Sequence, residues 1–430
     1  MKMQIKIKDC DYMKKMLIKG GYKLSGSIQI SGAKNSAVAL VPASILCDEE
    51  VRIDNIPDIS DIDALKEILE YLGAKMQKDN NSLLINCQNI ENKEIPENIS
   101  RKLRASYYFM SALLGKYKKV EMYFPGGCNI GARPIDQTLK GYRALGATVI
   151  EEGNKYTIYA DELKGSHLYL DMPSVGATVN TILAAVKAKG KTTIENAAKE
   201  PEIVNIATFL NNMGAKIKGA GTSKIVIEGV EKLHKASIET IPDRIEAGTY
   251  IIAGALIGDN LKIENIIPEH LEALINKLKE MGVNLKVESD CITISETDKL
   301  KPISIKTLGY PGFPTDLQQP FTVLLTQCQG ESLVEETIYE NRMGHVPHLN
   351  NLQANIIVNG RIAKIKGPSK LHGTNVIATD LRAGAAMVLA GLKADGETEI
   401  NDVEHILRGY ENIVEKLQNV GAKILIKEIE

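Results

Sequence analysis

An α/β fold built from six copies of one βαβαββ-like unit, grouped as two globules of three, is what these 430 residues predict. Three observations carry that prediction. A short phrase recurs six times, as Leu72-Gly73-Ala74, Leu145-Gly146-Ala147, Met213-Gly214-Ala215, Met281-Gly282-Val283, Leu352-Gln353-Ala354 and Val420-Gly421-Ala422. Its middle residues stand 73, 68, 68, 71 and 68 positions apart. An amphipathic stretch precedes each phrase, strand-like residues follow it, and a second stretch rich in alanine and glycine stands earlier in each unit.

The amphipathic stretch reads as a helix, because Ile62, Leu65, Ile68, Leu69 and Leu72 share one face at a 3.6-residue period. The glycine behind it is the expected C-terminal cap, where left-handed backbone is required. Residues such as Lys75-Met76 and Lys423 to Ile426 then read as strands. The second stretch, Ala33 to Leu46 in the first unit, recurs as Arg104 to Leu114, Val175 to Ala188, Arg244 to Ile257, Asp316 to Thr326 and Asp380 to Leu392. Side chains this small let a helix approach its neighbours closely, so these six helices are expected inside a bundle. Each leads through a turn into a strand, for example Thr192 to Glu195 and Thr398 to Ile400. One unit cannot bury its helices and strands alone, so the copies must share a helical centre.

Composition narrows the class. With 44% hydrophobic and 25% charged residues, the chain has apolar mass for more than one core. A net charge of −2 argues against a general nucleic-acid binder and requires any anion site to be a local cluster. No apolar run approaches the roughly 18 to 20 residues of a membrane span, and the first residues lack the apolar centre of a signal peptide. Cys10, Cys47, Cys87, Cys128, Cys291 and Cys328 are scattered, without CxxC pairs or metal-ligand spacing. They read as free thiols in a reducing cytoplasm, with no metal or cofactor expected.

The segment from Pro125 to Asp136, Pro-Gly-Gly-Cys-Asn-Ile-Gly-Ala-Arg-Pro-Ile-Asp, holds the densest chemistry. Two glycines before Cys128 permit positive φ. Arg133, followed at once by Pro134, sets a fixed charge at an expected helix start. A thiol near cations titrates lower, so Cys128 is a candidate proton donor or nucleophile near neutral pH. A glycine turn holding a half-buried cysteine accounts for the same residues equally well.

Further motifs follow in order: Ser31-Gly32-Ala33-Lys34-Asn35, Arg101 to Ser106, Pro242-Asp243-Arg244, Phe313-Pro314-Thr315-Asp316, Glu340-Asn341-Arg342, Thr379-Asp380-Leu381-Arg382 and Arg408-Gly409-Tyr410. With the Cys128 segment they resemble the enolpyruvyl transferases, and within them those that act on UDP-N-acetylglucosamine, from about Leu24 to about Ala422. The resemblance implies a two-domain inside-out α/β barrel. Its domains would be residues 1–33 plus 242–430 and an inserted 34–241 that carries Cys128, with crossings near Gly32 to Lys34 and Ile241 to Asp243. It also implies transfer of the enolpyruvyl group of phosphoenolpyruvate to the 3′-hydroxyl of UDP-N-acetylglucosamine with release of phosphate. That is the first committed step of peptidoglycan synthesis, in the cytoplasm and without a cofactor.

The implied partners are those two small molecules, with no nucleic acid and no membrane; oligomeric state is open. Cys128 is implied as the proton donor to C3, the position that the epoxide fosfomycin alkylates, and Asp316 as the base for the sugar hydroxyl. Lys34, Asn35 and Arg408 match phosphoenolpyruvate contacts. Arg104, Arg133, Pro134, Ile135, Asp136, Gln137, Ser174, Val175 and Ile338 match nucleotide-sugar contacts, and Arg342, Asp380 and Arg382 match charged cleft positions. Such anionic substrates need several cations, arginines above all. Taken singly, each arginine would read as a surface ion pair and Asp316 as a helix cap. Met172, Leu407 and His348 depart from the family's pattern. The shikimate-3-phosphate enzymes of the same architecture carry Gly-Ser-Lys-Ser where this chain has Gly32-Ala33-Lys34-Asn35. A catalytically silent or regulatory nucleotide-sugar-binding paralogue is the remaining alternative. Because the matched cations fall on both sides of the two crossings, closure of a cleft is expected to assemble the site.

Overall fold

The computed structural model describes residues 13–126 and 134–429, so Cys10, Cys128 and Arg133 lie outside the described residues. Six sheets are present among them, five of four strands and one of three. Each repeats one order. Ser304–Lys306 pairs in parallel with Gly330–Glu335, which is antiparallel to Ile362–Gly367, which is antiparallel to Ile356–Asn359. In the three-stranded sheet of Lys119–Tyr123, Lys155–Tyr159 and Thr148–Glu152, the outer parallel strand shrinks to the bridge between Ile95 and Met122.

The N-terminal strands complete units far along the chain. Met13–Lys19 inserts between Glu397–Asn401 and Lys423–Ile429, antiparallel to both, with Met16 opposite Ile400 on one side and Ile426 on the other. Leu24–Gln29 runs parallel to Gly258–Glu264. Period-two alternation turns one face of each strand inward. In Lys191–Glu195, for instance, Thr192 and Ile194 are buried while Lys191 is exposed.

Two apolar cores result. One gathers buried residues between Ala37 and Leu233 around the helices Lys34–Ala43, Tyr108–Tyr117 and Val175–Ala185. The other gathers Met16 to Ile30 and Ile245 to Ile424 around Arg244–Ile257, Thr315–Leu325 and Leu381–Lys393. These are the small-residue helices of the sequence, and their side chains explain the close packing. A Cβ on Gly248 would stand 2.5 Å from Leu317 of the neighbouring helix, well inside van der Waals contact. Between the cores the chain crosses twice, side by side. Gly32 bridges Pro242, the Ala33 amide donates to the Ile241 carbonyl at 2.7 Å, and the Asp243 amide donates to the Ser31 carbonyl at 2.9 Å.

Two helix starts differ from expectation. The stretch at Arg104 opens as a 3₁₀ turn, Arg104–Tyr107, before the α-helix proper begins at Tyr108. The helix expected at Pro134 begins at Asp136, because Ile135 at φ −103°, ψ 18° is outside helical geometry.

The repeated phrase is a left-handed cap in every unit. Gly73, Gly146, Gly214, Gly282 and Gly421 have φ between 85° and 103°, and Gln353 takes the same role at φ 70°. Glycine adopts that region without cost, whereas a residue with a Cβ loses on the order of 1 kcal/mol there. Gln353→Gly is therefore expected to stabilise the protein by about 0.5–1 kcal/mol, raising its melting temperature by about 1–4 °C. Gly282→Ala, with open space around its Cβ position, should destabilise by a similar amount through backbone strain alone. Calorimetry of both variants checks this, and an unchanged or lower midpoint for Gln353→Gly would contradict it.

Candidate functional site

The crossing puts a lysine at a helix start. Lys34 opens the helix Lys34–Ala43 directly after the Gly32 bridge, and its amide donates to Asp243 Oδ2 at 3.0 Å across the junction. Asp243 is held in turn as the cap of the helix Arg244–Ile257, with Oδ1 accepting the amides of Ile245 and Glu246. The Lys34 ammonium reaches Asp61 Oδ2 at 2.5 Å. Asp61 Oδ1 accepts Arg408 Nε at 2.8 Å. One carboxylate, only 4% exposed, thus joins cations attached to different cores. Burial pushes the Lys34 ammonium below its usual range, Asp61 opposes this, and the charges of Arg382 and Arg408 add to the depression. Asn35, half-buried, is the next residue of the same helix.

A second carboxylate lies close by. Asp316 is the second residue of the helix Thr315–Leu325, yet it caps nothing: its Oδ1 accepts Arg342 Nη2 at 2.8 Å and its Oδ2 accepts Arg382 Nη2 at 3.1 Å. Burial alone would raise the carboxyl, but Arg382, Arg342 and Arg244 outweigh it and hold the group well below the usual carboxylate range. Both arginines are buried and rest on rings, Arg342 at 5.3 Å from the Tyr339 centroid and Arg382 at 5.4 Å from that of Tyr410. Asp380 serves the scaffold. Its Oδ1 caps the helix Leu381–Lys393 through the amides of Arg382 and Ala383, and its Oδ2 accepts from Gln319. His345 is buried behind this group, and burial pushes its imidazole down to about 4.

Of the positions matched to nucleotide-sugar contacts, Arg104, Pro134 to Gln137, Ser174 and Val175 lie in the part of the chain that builds the first core, and Ile338 in the part that builds the second. Arg104 begins its 3₁₀ turn half-buried against the rings of Tyr107 and Phe124. Pro134 and Ile135 lead into the helix Asp136–Ala144. Gln137 is committed to Asp171, donating to its Oδ2 and accepting its amide, both at 2.9 Å, while Lys140 donates to the same carboxylate at 2.8 Å. Its side chain therefore ties that helix to the turn before Ser174. Ser174 caps Val175–Ala185, accepting the Ala177 amide at 3.2 Å. Ile338 and Met172 are exposed, Met172 by 62%. Leu407 packs on the apolar core beside Arg408, and His348 sits in the short helix Val346–Asn351.

Three groups with site contacts were absent from the sequence reading. Asp61 had a visible signal, since it falls on the apolar stripe with Leu65, Ile68 and Leu72, where an unpaired carboxylate would be costly. Glu202, which accepts Arg244 Nε at 3.1 Å, and Glu411, which accepts the Asp58 amide at 2.8 Å, join the two cores across the sequence and had none. Among the described residues, no group of three His, Cys, Asp or Glu side chains is placed to hold a metal ion, and no helix is long and apolar enough to cross a membrane. Cys47, Cys87, Cys291 and Cys328 are buried free thiols, with Cys87 pushed up to about 11 by burial. Chemically, Lys34, Arg408, Arg342 and Arg382 are cations held by internal carboxylates that an incoming phosphate or carboxylate could replace.

The chain is similar to known proteins over almost its whole length. The family model for EPSP synthase (3-phosphoshikimate 1-carboxyvinyltransferase) matches residues 18–417. UDP-N-acetylglucosamine 1-carboxyvinyltransferase 2 of Listeria monocytogenes serotype 4b (strain F2365) is 54% identical over 410 residues, covering 95% of this chain and 97% of that protein. The protein of the same name from Geobacillus kaustophilus (strain HTA426) is 54% identical over 412 residues, 96% of each chain. Among solved structures, the enolpyruvyl transferase NikO from Streptomyces tendae superposes with a TM-score of 0.89 at 28% identity, over 97% of this chain and all of that one. EPSP synthase from Acinetobacter baumannii, at 18% identity and a TM-score of 0.74, shares the fold.

Two measurements test this arrangement. Asp61→Asn leaves Lys34 and Arg408 without their shared counter-charge and should cost roughly 2–3 kcal/mol of unfolding free energy, seen as a lower urea midpoint at constant slope; a loss below about 0.5 kcal/mol would mean the bridge is not stabilising. Asp316 has a folded-state pKa depressed below the unfolded value of about 3.9, so its contribution is full above that pH and is lost as pH falls further. The stability gap between wild type and Asp316→Asn should accordingly be widest near pH 7 and narrow between about pH 4 and pH 2. A gap that stays constant across that range would refute the assignment.

Proposed function

The chain belongs to the EPSP synthase family of enolpyruvyl transferases, and from that membership we propose that it transfers the enolpyruvyl group of phosphoenolpyruvate to the 3′-hydroxyl of UDP-N-acetylglucosamine. The observation that supports this reading best is the Asp61 fork, which brings Lys34 and Arg408 together from opposite cores. Phosphoenolpyruvate carries its phosphate and its carboxylate on one carbon, and two cations held side by side suit two anionic groups so placed. Lys34, Asn35 and Arg408 are its proposed contacts. Arg104, Arg133, Pro134, Ile135, Asp136, Gln137, Ser174, Val175 and Ile338 are the proposed contacts of the nucleotide sugar. Since Gln137 is bonded through its side chain to Asp171, its backbone or its positioning of the Ser174 turn is the part it would lend.

In the reaction, the sugar hydroxyl adds to C2 of the enol while C3 gains a proton, and phosphate then leaves as C3 loses one. Asp316 is the proposed acceptor of the hydroxyl proton and Cys128 the proposed donor at C3. A carboxylate paired with two arginines is a feeble base. Substrate oxyanions that draw Arg342 or Arg382 away would restore its basicity at the moment it is needed. Closure of residues 34–241 onto residues 1–33 plus 242–430 would then exclude water from the charged intermediate. The reaction belongs to cell-wall synthesis in the cytoplasm, requires no cofactor, and has the two small molecules as its partners.

Purified protein given both substrates should release inorganic phosphate, with no release when UDP-N-acetylglucosamine is omitted or replaced by shikimate 3-phosphate. Lys34→Ala, Arg408→Ala and Cys128→Ser should each lower kcat/KM by about 100-fold or more. Release that is independent of the sugar, or that occurs only with shikimate 3-phosphate, would overturn the reading.

A further inference from the structure

The fork of Lys34, Asp61 and Arg408 has a second meeting point beside it. Ser31 precedes Lys34 by three residues, Asp58 precedes Asp61 by three, and Glu411 follows Arg408 by three. These residues converge as well. Glu411 Oε1 accepts the Asp58 amide at 2.8 Å, and its Oε2 accepts the Ser31 hydroxyl. One carboxylate therefore ties the segment that carries Arg408 to both segments that carry its companions in the fork.

Each of the three segments is fixed in its own right. The Ser31 amide donates to Glu246 at 2.9 Å, its carbonyl accepts the Asp243 amide at 2.9 Å, and its hydroxyl accepts Lys416 Nζ at 2.6 Å. Asp58 stands at the entrance of the helix Ser60–Leu72, with its carboxylate accepting Lys78 at 2.8 Å. Glu411, half-buried, lies in the turn between the helices Glu404–Leu407 and Ile413–Asn419. That turn is seated on the second core. A Cβ on Gly409 would stand 2.7 Å from Leu381, and the buried Tyr410 shares a hydrogen bond with Thr249 at 2.9 Å. From this seat Glu411 reaches across to the first core.

We propose that Glu411 is a positioning residue: by holding the Asp58 amide and the Ser31 hydroxyl together, it sets the spacing of the Lys34 ammonium and the Arg408 guanidinium at the phosphoenolpyruvate site. This rests on the reading of Lys34 and Arg408 as phosphoenolpyruvate contacts. Both cations end long side chains with several rotatable bonds, and Asp61 restrains only their tips. A displacement of about 1 Å in either backbone segment passes to those tips, and misplacement on that scale can lower a rate by about 100-fold. Charge-assisted bonds from one carboxylate to two separate segments remove that freedom at the backbone.

The test reads kcat and the KM of each substrate, the calorimetric Kd of UDP-N-acetylglucosamine alone, and the urea midpoint. Glu411→Ala should raise the KM for phosphoenolpyruvate by about tenfold, with the Kd of the sugar within about twofold of wild type. Glu411→Gln keeps an oxygen for the Asp58 amide and gains an amide group that can donate to Ser31 Oγ, so it should stay within about threefold of wild type. Ser31→Ala, which removes one arm alone, should raise the same KM by about two- to fourfold. In an Arg408→Ala background, Glu411→Ala should add less than about twofold. A lower urea midpoint for Glu411→Ala with an unchanged KM for phosphoenolpyruvate would reduce the carboxylate to a brace between the cores and overturn the proposal. So would a Glu411→Gln protein as impaired as Glu411→Ala, or a full tenfold effect in the Arg408→Ala background. Should Glu411→Ala fail to fold, Ser31→Ala decides alone, and an unchanged KM there overturns the proposal. Lys34→Ala and Arg408→Ala proteins with wild-type KM for phosphoenolpyruvate would instead overturn the reading of the site on which it rests.

Discussion

A cation removed from water must find a counter-charge, and in this cluster two carboxylates answer for four cations. Asp61 holds Lys34 and Arg408; Asp316 holds Arg342 and Arg382. Asp316 accepts through both oxygens, and Asp61 accepts Arg408 through Oδ1 and forms an ion pair with Lys34 through Oδ2, so neither can leave without stranding two positive groups. The cluster can consequently be assembled in the absence of substrate and still carry surplus positive charge for an anion. That surplus is what a site for a phosphate, a carboxylate and a diphosphate requires. Burial makes it selective as well, since at low dielectric an unpaired positive charge favours a true anion over a merely polar ligand.

The same pairs decide how the two cores meet. Arg408 stands on one core and Asp61 on the other, and Glu411, three residues on, accepts the Asp58 amide from the same helix entrance. Arg244 and Glu202 make a comparable bridge. Around the crossing strands, Lys416 donates to Glu246 and to the Ser31 hydroxyl, and Glu246 accepts the Ser31 amide at 2.9 Å. Burial raises Glu246 to about 7 against the opposing pull of Lys416. Lys416 and Glu246 thereby tie the start of the first crossing to the helices Ile413–Asn419 and Arg244–Ile257.

Scaffold and chemistry also share residues here. Asp243 caps one helix and fixes the backbone of Lys34; Asp380 caps another and thereby sets the start of the segment from which Arg382 projects. Gln137 and Asp171 tie a helix to the Ser174 turn. Residues picked out by motif order thus divide into those that join the charge cluster and those whose side chains hold helix starts and turns in place, and the hydrogen bonds, not the motif, separate the two.

By itself the amino-acid sequence determined the repeating architecture, because the signals are local. A left-handed cap every seventy residues or so, an amphipathic stripe before it and a small-residue helix earlier in each unit are properties of neighbouring side chains, and the six sheets and two helical centres follow from them. Even Gln353, which lacks the glycine, was legible from its place in the period. Motif order likewise singled out Lys34, Asp316 and Arg408 as candidates. Tertiary structure decided the partners. Asp61 and Arg408 stand 347 positions apart and Glu202 and Arg244 stand 42 apart, and no sequence pattern links either pair. Only the insertion of the first strand beside the last, and the paired crossing at Gly32 and Pro242, brings them within reach. Asp61 shows the limit most clearly: the stripe it sits on declares that it is buried, but which charges make that burial tolerable depends on a core assembled from the far end of the chain.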